Sequence, residues 1–124
     1  MCLVLEDKTK HIACEDIVVY KVVSIHNSKM HAIWQFYNYK YNKLHVLKTK
    51  LHTYKTFSGD IITLEGFYSF DNFSSAQELH LRLVNMYGTK VVKCILPKGT
   101  EYYANNDIVV SNQIKIIEDV LRNK

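Results

Sequence analysis

One segment of this chain differs from the rest in the spacing of its apolar residues. Residues 75–87 place apolar side chains at helical spacing on one face. Those side chains belong to Ala76, Leu79, Leu83 and Met86. Ser75 and Glu78 form the S-x-x-E pattern of a capping box, and Gly88 is suitably placed to end the helix. The sequence therefore predicts one main helix, about residues 75–87.

Segments on both sides of the helix have the composition of β-strands, rich in β-branched and aromatic residues. They are residues 16–25, 32–41, 44–54, 60–70, 89–96, 107–110 and 114–117. Three or four strands thus precede the helix, and two or three follow it. This order predicts an α+β fold with a mostly antiparallel sheet of about six strands. The chain has 124 residues, which is enough for one sizeable core, so a single domain over 1–124 is expected.

The distribution of charge is more informative than the net charge of +4. Residues 17–59 contain no Asp or Glu, although the same segment contains seven lysines. They are Lys21, Lys29, Lys40, Lys43, Lys48, Lys50 and Lys55. A region of one sign attracts anions, so the sequence predicts an anionic partner. A soluble lysine-rich face without a ligand is the alternative.

Aromatic residues are interleaved with these lysines. The candidate ligand-binding residues are Trp34, Tyr37, Tyr39, Lys40, Tyr41, Lys43, Lys48, Lys50 and Tyr54. A base stacks on an aromatic ring for about 1–3 kcal/mol, and an ammonium group neutralises a phosphate. The combination predicts a site for a phosphorylated nucleotide. Tyrosines that merely cap a sheet face would have the same composition, so a structural role for these rings stays open.

Three residues are candidates for catalysis. Removal of Met1 would expose Cys2, whose α-amine has a pKa of about 8 and can act as the base for its own thiol. His45 and His52 lie among the lysines and are candidates for general acid–base catalysis. An ordinary structural or surface role is the alternative for all three.

The sequence predicts no cofactor, metal site or membrane span. It contains no CxxC or HExxH pattern and no apolar run near the roughly 18 residues that cross a membrane. Its odd number of cysteines, three, argues against a disulfide framework. We expect a cytoplasmic protein with reduced thiols, in which Cys14 and Cys94 are buried packing groups.

Three segments resemble a family of small proteins from phages, prophages and gut bacteria. They are EDIVVYKV at 15–22, GFYSFDNFSSA at 66–76 and VVKCILPKGTEYY at 91–103. Small phage proteins of this kind resemble anti-defence factors, which sequester or cleave nucleotide second messengers or mask a host protein. The resemblance implies that the chain acts in the cytoplasm of a host cell and counters immune signalling.

The chain is also distantly similar to ADP-ribosyltransferase-like folds. The similarity rests on the aromatic–basic step Tyr20–Lys21, on the strand and helix that follow Gly66, and on the PKGT turn at 97–100. Such enzymes usually have an arginine where Tyr20–Lys21 stands, and Glu101 is the residue nearest to a catalytic glutamate near the last strands. The similarity implies the fold and a nucleotide derived from NAD.

These observations leave several functions open. Sequestration of an anionic nucleotide, either a cyclic nucleotide or an NAD-derived signal, is the leading hypothesis. Hydrolysis of such a nucleotide by Cys2 or a histidine is the second. Masking of an acidic host protein and binding of RNA are further alternatives. A homodimer is also compatible with a small domain that has several strand edges.

Overall fold

The computed structural model describes residues 3–5, 10–26, 29–32, 38–48, 50–59, 61–63, 66–84 and 88–120. In chain order the strands are β1 (Leu3–Leu5), β2 (His11–Ile12), β3 (Ile17–His26), β4 (Lys29–His31), β5 (Asn38–Tyr39), β6 (Leu44–Val46), β7 (Tyr54–Lys55), β8 (Ile61–Thr63), β9 (Phe67–Phe70), β10 (Thr89–Leu96), β11 (Glu101–Asn105), β12 (Ile108–Ser111) and β13 (Gln113–Asp119). The helix α1 (Phe73–Leu83) lies between β9 and β10.

The described strands form two antiparallel sheets. The smaller sheet has the order β1–β8–β7. The larger has ten strands, eight of them in the order β2–β11–β12–β9–β3–β10–β13–β6, while β4 pairs with β3 and with β5. The α+β class, the antiparallel sheet and the main helix are confirmed, but the prediction of about six strands is wrong. Strands of two or three residues, such as β2 and β5, are too short to show a period in the sequence.

The main core lies on the inner face of β3 and β10, which pair from Thr89↔Ser24 to Leu96↔Ile17. Side chains alternate along a strand, so every second residue of these β-branched segments enters the core. The buried residues are Val19, Val23, Val92, Cys94 and Leu96 from these strands, and Met30, Ala32, Tyr39, Phe67, Val109, Ile114 and Ile116 from their surroundings. The predicted strands over 16–25 and 89–96 are therefore confirmed to within one residue.

Helix α1 covers part of the outer face of the same sheet. Ala76 is completely buried in a cluster with Val22 and Val91, the outward-facing residues of β3 and β10. Phe73 packs edge-on against Tyr20 with a ring separation of 5.9 Å. The helix therefore fixes the sheet from outside, while the main core fills the inner side.

The helix runs from Phe73 to Leu83 with Val84 as its C-cap, so both ends differ from the predicted 75–87 and from the predicted stop at Gly88. Asn72 is the N-cap, because its backbone is extended and its Oδ1 accepts a hydrogen bond of 2.9 Å from the Ser75 N–H. The predicted capping box of Ser75 and Glu78 is therefore wrong, and the Ser75 hydroxyl donates to Asp107 instead. Because a second side chain that can cap the helix lies three residues upstream, the sequence admits both starts.

The first half of the chain is also divided differently from the prediction. The segment 44–54 contributes β6 to the large sheet and β7 to the small one. Of the predicted strand 32–41, Asn38–Tyr39 is a strand, and residues 33–37 lie outside the described part. At the other end β13 extends to Asp119, beyond the predicted 114–117. Polar interruptions conceal these boundaries because strand signals depend on unbroken alternation.

Candidate functional site

Two of the predicted site residues lie in the interior. Tyr39, on β5, is a member of the main core, and the His45 side chain, on β6, is only 3% exposed. The rings meet edge to face with centroids 5.1 Å apart, and the Phe67 ring lies 6.2 Å from that of Tyr39. Both side chains therefore pack inside the fold, and their predicted roles in binding and catalysis stay predictions.

His45 stabilises the turn that leads into β6. Its Nε2 lies 3.1 Å from the Lys40 N–H and accepts a hydrogen bond from it when unprotonated. Burial lowers the pKa of His45, the hydrogen bond to the Lys40 backbone opposes that effect, and the positive charges of Lys43 and Lys40 add to it. The same Nε2 lies 3.3 Å from the Lys40 carbonyl oxygen, so the His45 ring holds the Lys40 backbone.

The Tyr41 side chain is exposed, but its hydroxyl is hydrogen-bonded. Its hydroxyl donates to Asp119, and the Lys90 Nζ lies 2.5 Å from the same hydroxyl oxygen. Lys90 also pairs with Asp119 at 2.9 Å and lies 5.2 Å from the centroid of the Tyr41 ring. We call these three residues the Tyr41 cluster. The cluster joins the loop before β6 to β10 and β13, so Tyr41 has a structural role in addition to any contact with a ligand.

The pKa shifts in the Tyr41 cluster favour a charged Lys90 ammonium and a charged Asp119 carboxylate. Burial, followed by the hydrogen bond to Asp119, raises the pKa of Tyr41. Burial alone would raise the pKa of Asp119, but hydrogen bonds from Tyr41 and Lys90 lower it overall. Burial alone would lower the pKa of Lys90, but its bonds to Tyr41 and Asp119 raise it overall. At neutral pH the cluster is a neutral tyrosine between an ammonium and a carboxylate, with no surplus positive charge for an anion.

The remaining predicted residues of this region form an exposed stripe. Burial alternates along residues 50–54, with Leu51 almost completely buried and Thr53 half-buried. The exposed residues of this alternation are Lys50, His52 and Tyr54, and Lys48 is exposed at a bend two residues before Lys50. We call these four residues the Lys48–Tyr54 stripe. The alternation of burial places Lys50, His52 and Tyr54 on the side of the segment away from Leu51.

Leu51 explains why this segment has a defined position. Its side chain packs in a second hydrophobic cluster with Tyr103 and Val110. The rings of His52 and Tyr54 meet at an angle of 65° with centroids 6.2 Å apart. One buried leucine thus fixes two lysines on its N-terminal side and two aromatic rings on its C-terminal side. The sequence pattern points to these four residues but not to Leu51, because a lone apolar residue among polar ones gives no sign of burial.

The lysines of the stripe have no acidic partner among the described residues. The ion pairs in that part of the chain are Lys10–Glu101, Arg82–Glu78 and Lys90–Asp119. Lys40 and Lys43 are also exposed and lie at the opposite end of β6, where they lower the pKa of His45. Positive charge that is not compensated locally is therefore concentrated on both sides of β6.

Several predicted residues cannot be placed. Cys2, Trp34 and Tyr37 lie outside the described residues.

Cys94 is buried as predicted, and burial raises the pKa of its thiol to about 12. Cys14 is exposed, so the prediction that it packs in the interior is wrong. It lies in the bend between β2 and β3, where a strand-like composition does not guarantee burial.

A buried lysine is the feature that the sequence conceals most completely. Lys21, on β3, is 7% exposed, and its Nζ donates to the Tyr68 carbonyl oxygen at 2.5 Å. Burial lowers its pKa to about 8, while Cys94 opposes that effect. Lys21 therefore does not belong to the exposed positive surface, although the charge pattern includes it.

The part of the chain covered by the structure contains no group of three metal-ligating side chains. None of its helices has the length and apolarity required to span a membrane. Comparison with family models, with curated proteins and with solved structures finds no match to this chain. The resemblances to small phage proteins and to ADP-ribosyltransferase-like folds therefore stay predictions.

Proposed function

We propose that this chain is a non-catalytic binding protein that captures a phosphorylated nucleotide on the Lys48–Tyr54 stripe. One observation carries the proposal: two exposed lysines without a described acidic partner lie next to two exposed rings on a segment that Leu51 anchors in a hydrophobic cluster. Ammonium groups neutralise phosphate, and a base stacks on an exposed ring. The resemblance to small phage proteins leads us to expect a cyclic dinucleotide or an NAD-derived signal as the ligand.

The roles within the stripe follow from side-chain chemistry. Lys48 and Lys50 bind the phosphates as flexible point charges, which suits capture of an anion without base-specific recognition. Tyr54 offers a ring face to the base, and His52 supports that ring from its edge. We assign Tyr39 and His45 no part in the stripe because their side chains are buried.

The experiment is a calorimetric titration of the purified chain with cyclic dinucleotides and ADP-ribose. The test variant is the double substitution Lys48→Glu/Lys50→Glu. The control is Lys29→Glu/Lys98→Glu, which alters net charge by the same amount at two exposed lysines elsewhere. We expect the test variant to lose at least tenfold in affinity, Tyr54→Ala to lose about tenfold, and the control to change less than twofold. Chromatography of the nucleotide after incubation should show it unchanged.

Three results would overturn this proposal. Equal losses in the test and control variants would show that net charge alone attracts the nucleotide. Absence of heat with every nucleotide up to millimolar concentration would remove the nucleotide as a ligand class. Conversion of the nucleotide on the chromatogram would replace capture by hydrolysis, and His52 would then be the first residue to substitute.

A further inference from the structure

Strand β6 is the end strand of the large sheet and pairs, among the described residues, with β13 alone. The Leu47 N–H continues this pairing by donating to the Asn112 carbonyl oxygen at 2.9 Å. Hydrogen-bonded and non-hydrogen-bonded residues alternate along an antiparallel pair. His45 and Leu47 therefore bond to β13, whereas Leu44 and Val46 direct their N–H and C=O groups to the open edge.

The side chains at this edge are apolar and exposed. Leu44 is 42% exposed and Val46 is 52% exposed. A short edge strand with exposed apolar side chains and unpaired backbone groups is a template for another strand. Monomeric proteins usually protect such an edge with an inward charge, a proline or a covering segment, and β6 contains no charged residue or proline.

Leu44 also completes a row of side chains across the outer face of the sheet. The register opposes Leu44 to Lys115, Lys115 to Ile95, and Ile95 to Val18. Directly opposed residues share a face, so these four side chains form a continuous row over four strands. Val18 is exposed, and none of the four belongs to the cluster that helix α1 covers. An added strand beside β6 would extend this row.

Charge decides between the two kinds of strand that could occupy the edge. Lys43 directly precedes β6 and is exposed, and Lys115 lies opposite Leu44. A second copy would bring the acid-free segment 17–59 against itself and would offer its lysines no carboxylate. A strand with alternating apolar and acidic side chains would instead cover Leu44 and Val46 and pair with the ammonium groups.

We propose that the open edge of β6 binds an extended acidic segment of a partner protein as an added strand. Main-chain hydrogen bonds from Leu44 and Val46 provide affinity, and the lysines select the acidic segment. This docking surface consists of residues outside the Lys48–Tyr54 stripe, so it can be tested independently of nucleotide capture.

The probe is a fluorescent, end-capped octapeptide of alternating valine and glutamate, and the measurement is its fluorescence anisotropy with the full chain. The test variant is Val46→Pro, which removes an outward N–H without removing a hydrogen bond to β13. Val46→Thr is the matched control because it retains the N–H. We expect Val46→Pro to weaken binding at least tenfold and Val46→Thr to weaken it less than threefold. A valine–lysine octapeptide should not bind, and the nucleotide affinity of Val46→Pro should equal that of the parent chain.

If Val46→Pro does not fold, Leu44→Glu and amide exchange replace it. Leu44→Glu introduces a negative charge at the row, which repels the acidic peptide, and should weaken peptide binding at least threefold. Saturating peptide should slow exchange of the Leu44 and Val46 amides in the parent chain. Unchanged exchange, equal binding of both octapeptides, or full binding by both variants would overturn the proposal. A concentration-dependent dimer in sedimentation that Leu44→Lys abolishes would assign the edge to a second copy instead.

Discussion

The Nζ atom of Lys21 lies 5.1 Å from the centroid of the Tyr39 ring, inside the main core. Tyr39 provides a π-face for this charge, the Tyr68 carbonyl oxygen accepts its hydrogen bond, and Cys94 is the ionisable group that interacts with it. Ser69, whose hydroxyl is buried without a described partner, lies on the adjacent strand β9. The centre of this fold therefore contains a charged ammonium group without a described carboxylate partner. The free energy of unfolding consequently depends on pH.

The stability of the folded chain should rise by about 1 kcal/mol between pH 7 and pH 9. The pKa of Lys21 is about 8 in the folded chain, against 10.5 as its ordinary value. Between these two values the unfolded chain binds a proton that the folded chain has released, so raising the pH favours folding. Urea unfolding at several pH values measures this rise. Lys21→Met should abolish it, and Lys48→Met, at an exposed lysine, should leave it intact.

The same titration should pass through a maximum between about pH 9 and 10.5. The pKa of Cys94 is about 12 in the folded chain, against 9.0 ordinarily. Above pH 9 the unfolded chain loses a proton that the folded chain keeps, and stability falls as the pH rises. Cys94→Val should remove the decline that this thiol causes above pH 10.5. An unaltered decline in that variant would assign it to other groups.

Tyr41→Phe should destabilise the chain by about 1 kcal/mol. The substitution removes the hydroxyl that binds both Asp119 and Lys90 but retains the ring beneath Lys90. Because the cluster is largely exposed, solvent screening limits its contribution. Thermal unfolding at 0.05 M and 1 M NaCl measures the loss. Tyr54→Phe is the control, and an equal loss in both variants would show that the hydroxyl contacts of Tyr41 contribute nothing.

Leu51→Ala should destabilise the chain by about 2–4 kcal/mol, because it leaves a cavity beside Tyr103 and Val110. It should also weaken nucleotide binding, since the stripe loses the residue that positions it. Urea unfolding and the calorimetric titration measure the two effects. Leu81→Ala, at an exposed leucine of α1, should change both by little. Unchanged affinity in a folded Leu51→Ala variant would show that the stripe needs no such support.

Asn72→Ala should cost about 1 kcal/mol, because it leaves the Ser75 N–H without its capping acceptor. Ser74→Ala is the control in the first turn, where the side chain is exposed. Thermal unfolding compares the two variants. A larger loss for Ser74→Ala would place the helix start elsewhere.

Local chemistry explains which features could be predicted. Helical spacing from Ala76 to Leu83 and the β-branched runs around Val19 and Val92 report on neighbours close in sequence, so the helix, the two central strands and the α+β class follow from them. The stripe could be predicted in part, because Lys48, Lys50, His52 and Tyr54 are polar or aromatic residues in an acid-free segment. That His52 and Tyr54 lie on the same side as Lys50 depends on the burial of Leu51, which contacts distant strands.

The sequence by itself determined the central β-strands, the single main helix and the excess of lysine over acid in the first half of the chain. Only the tertiary structure decided that Tyr39 and Lys21 lie in the core, that Tyr41 is held by Lys90 and Asp119, and that β6 is the end strand among those described. The physical reason is that burial and strand order arise from pairing between residues far apart along the chain. Two neighbouring tyrosines or lysines of the same composition can therefore have opposite environments.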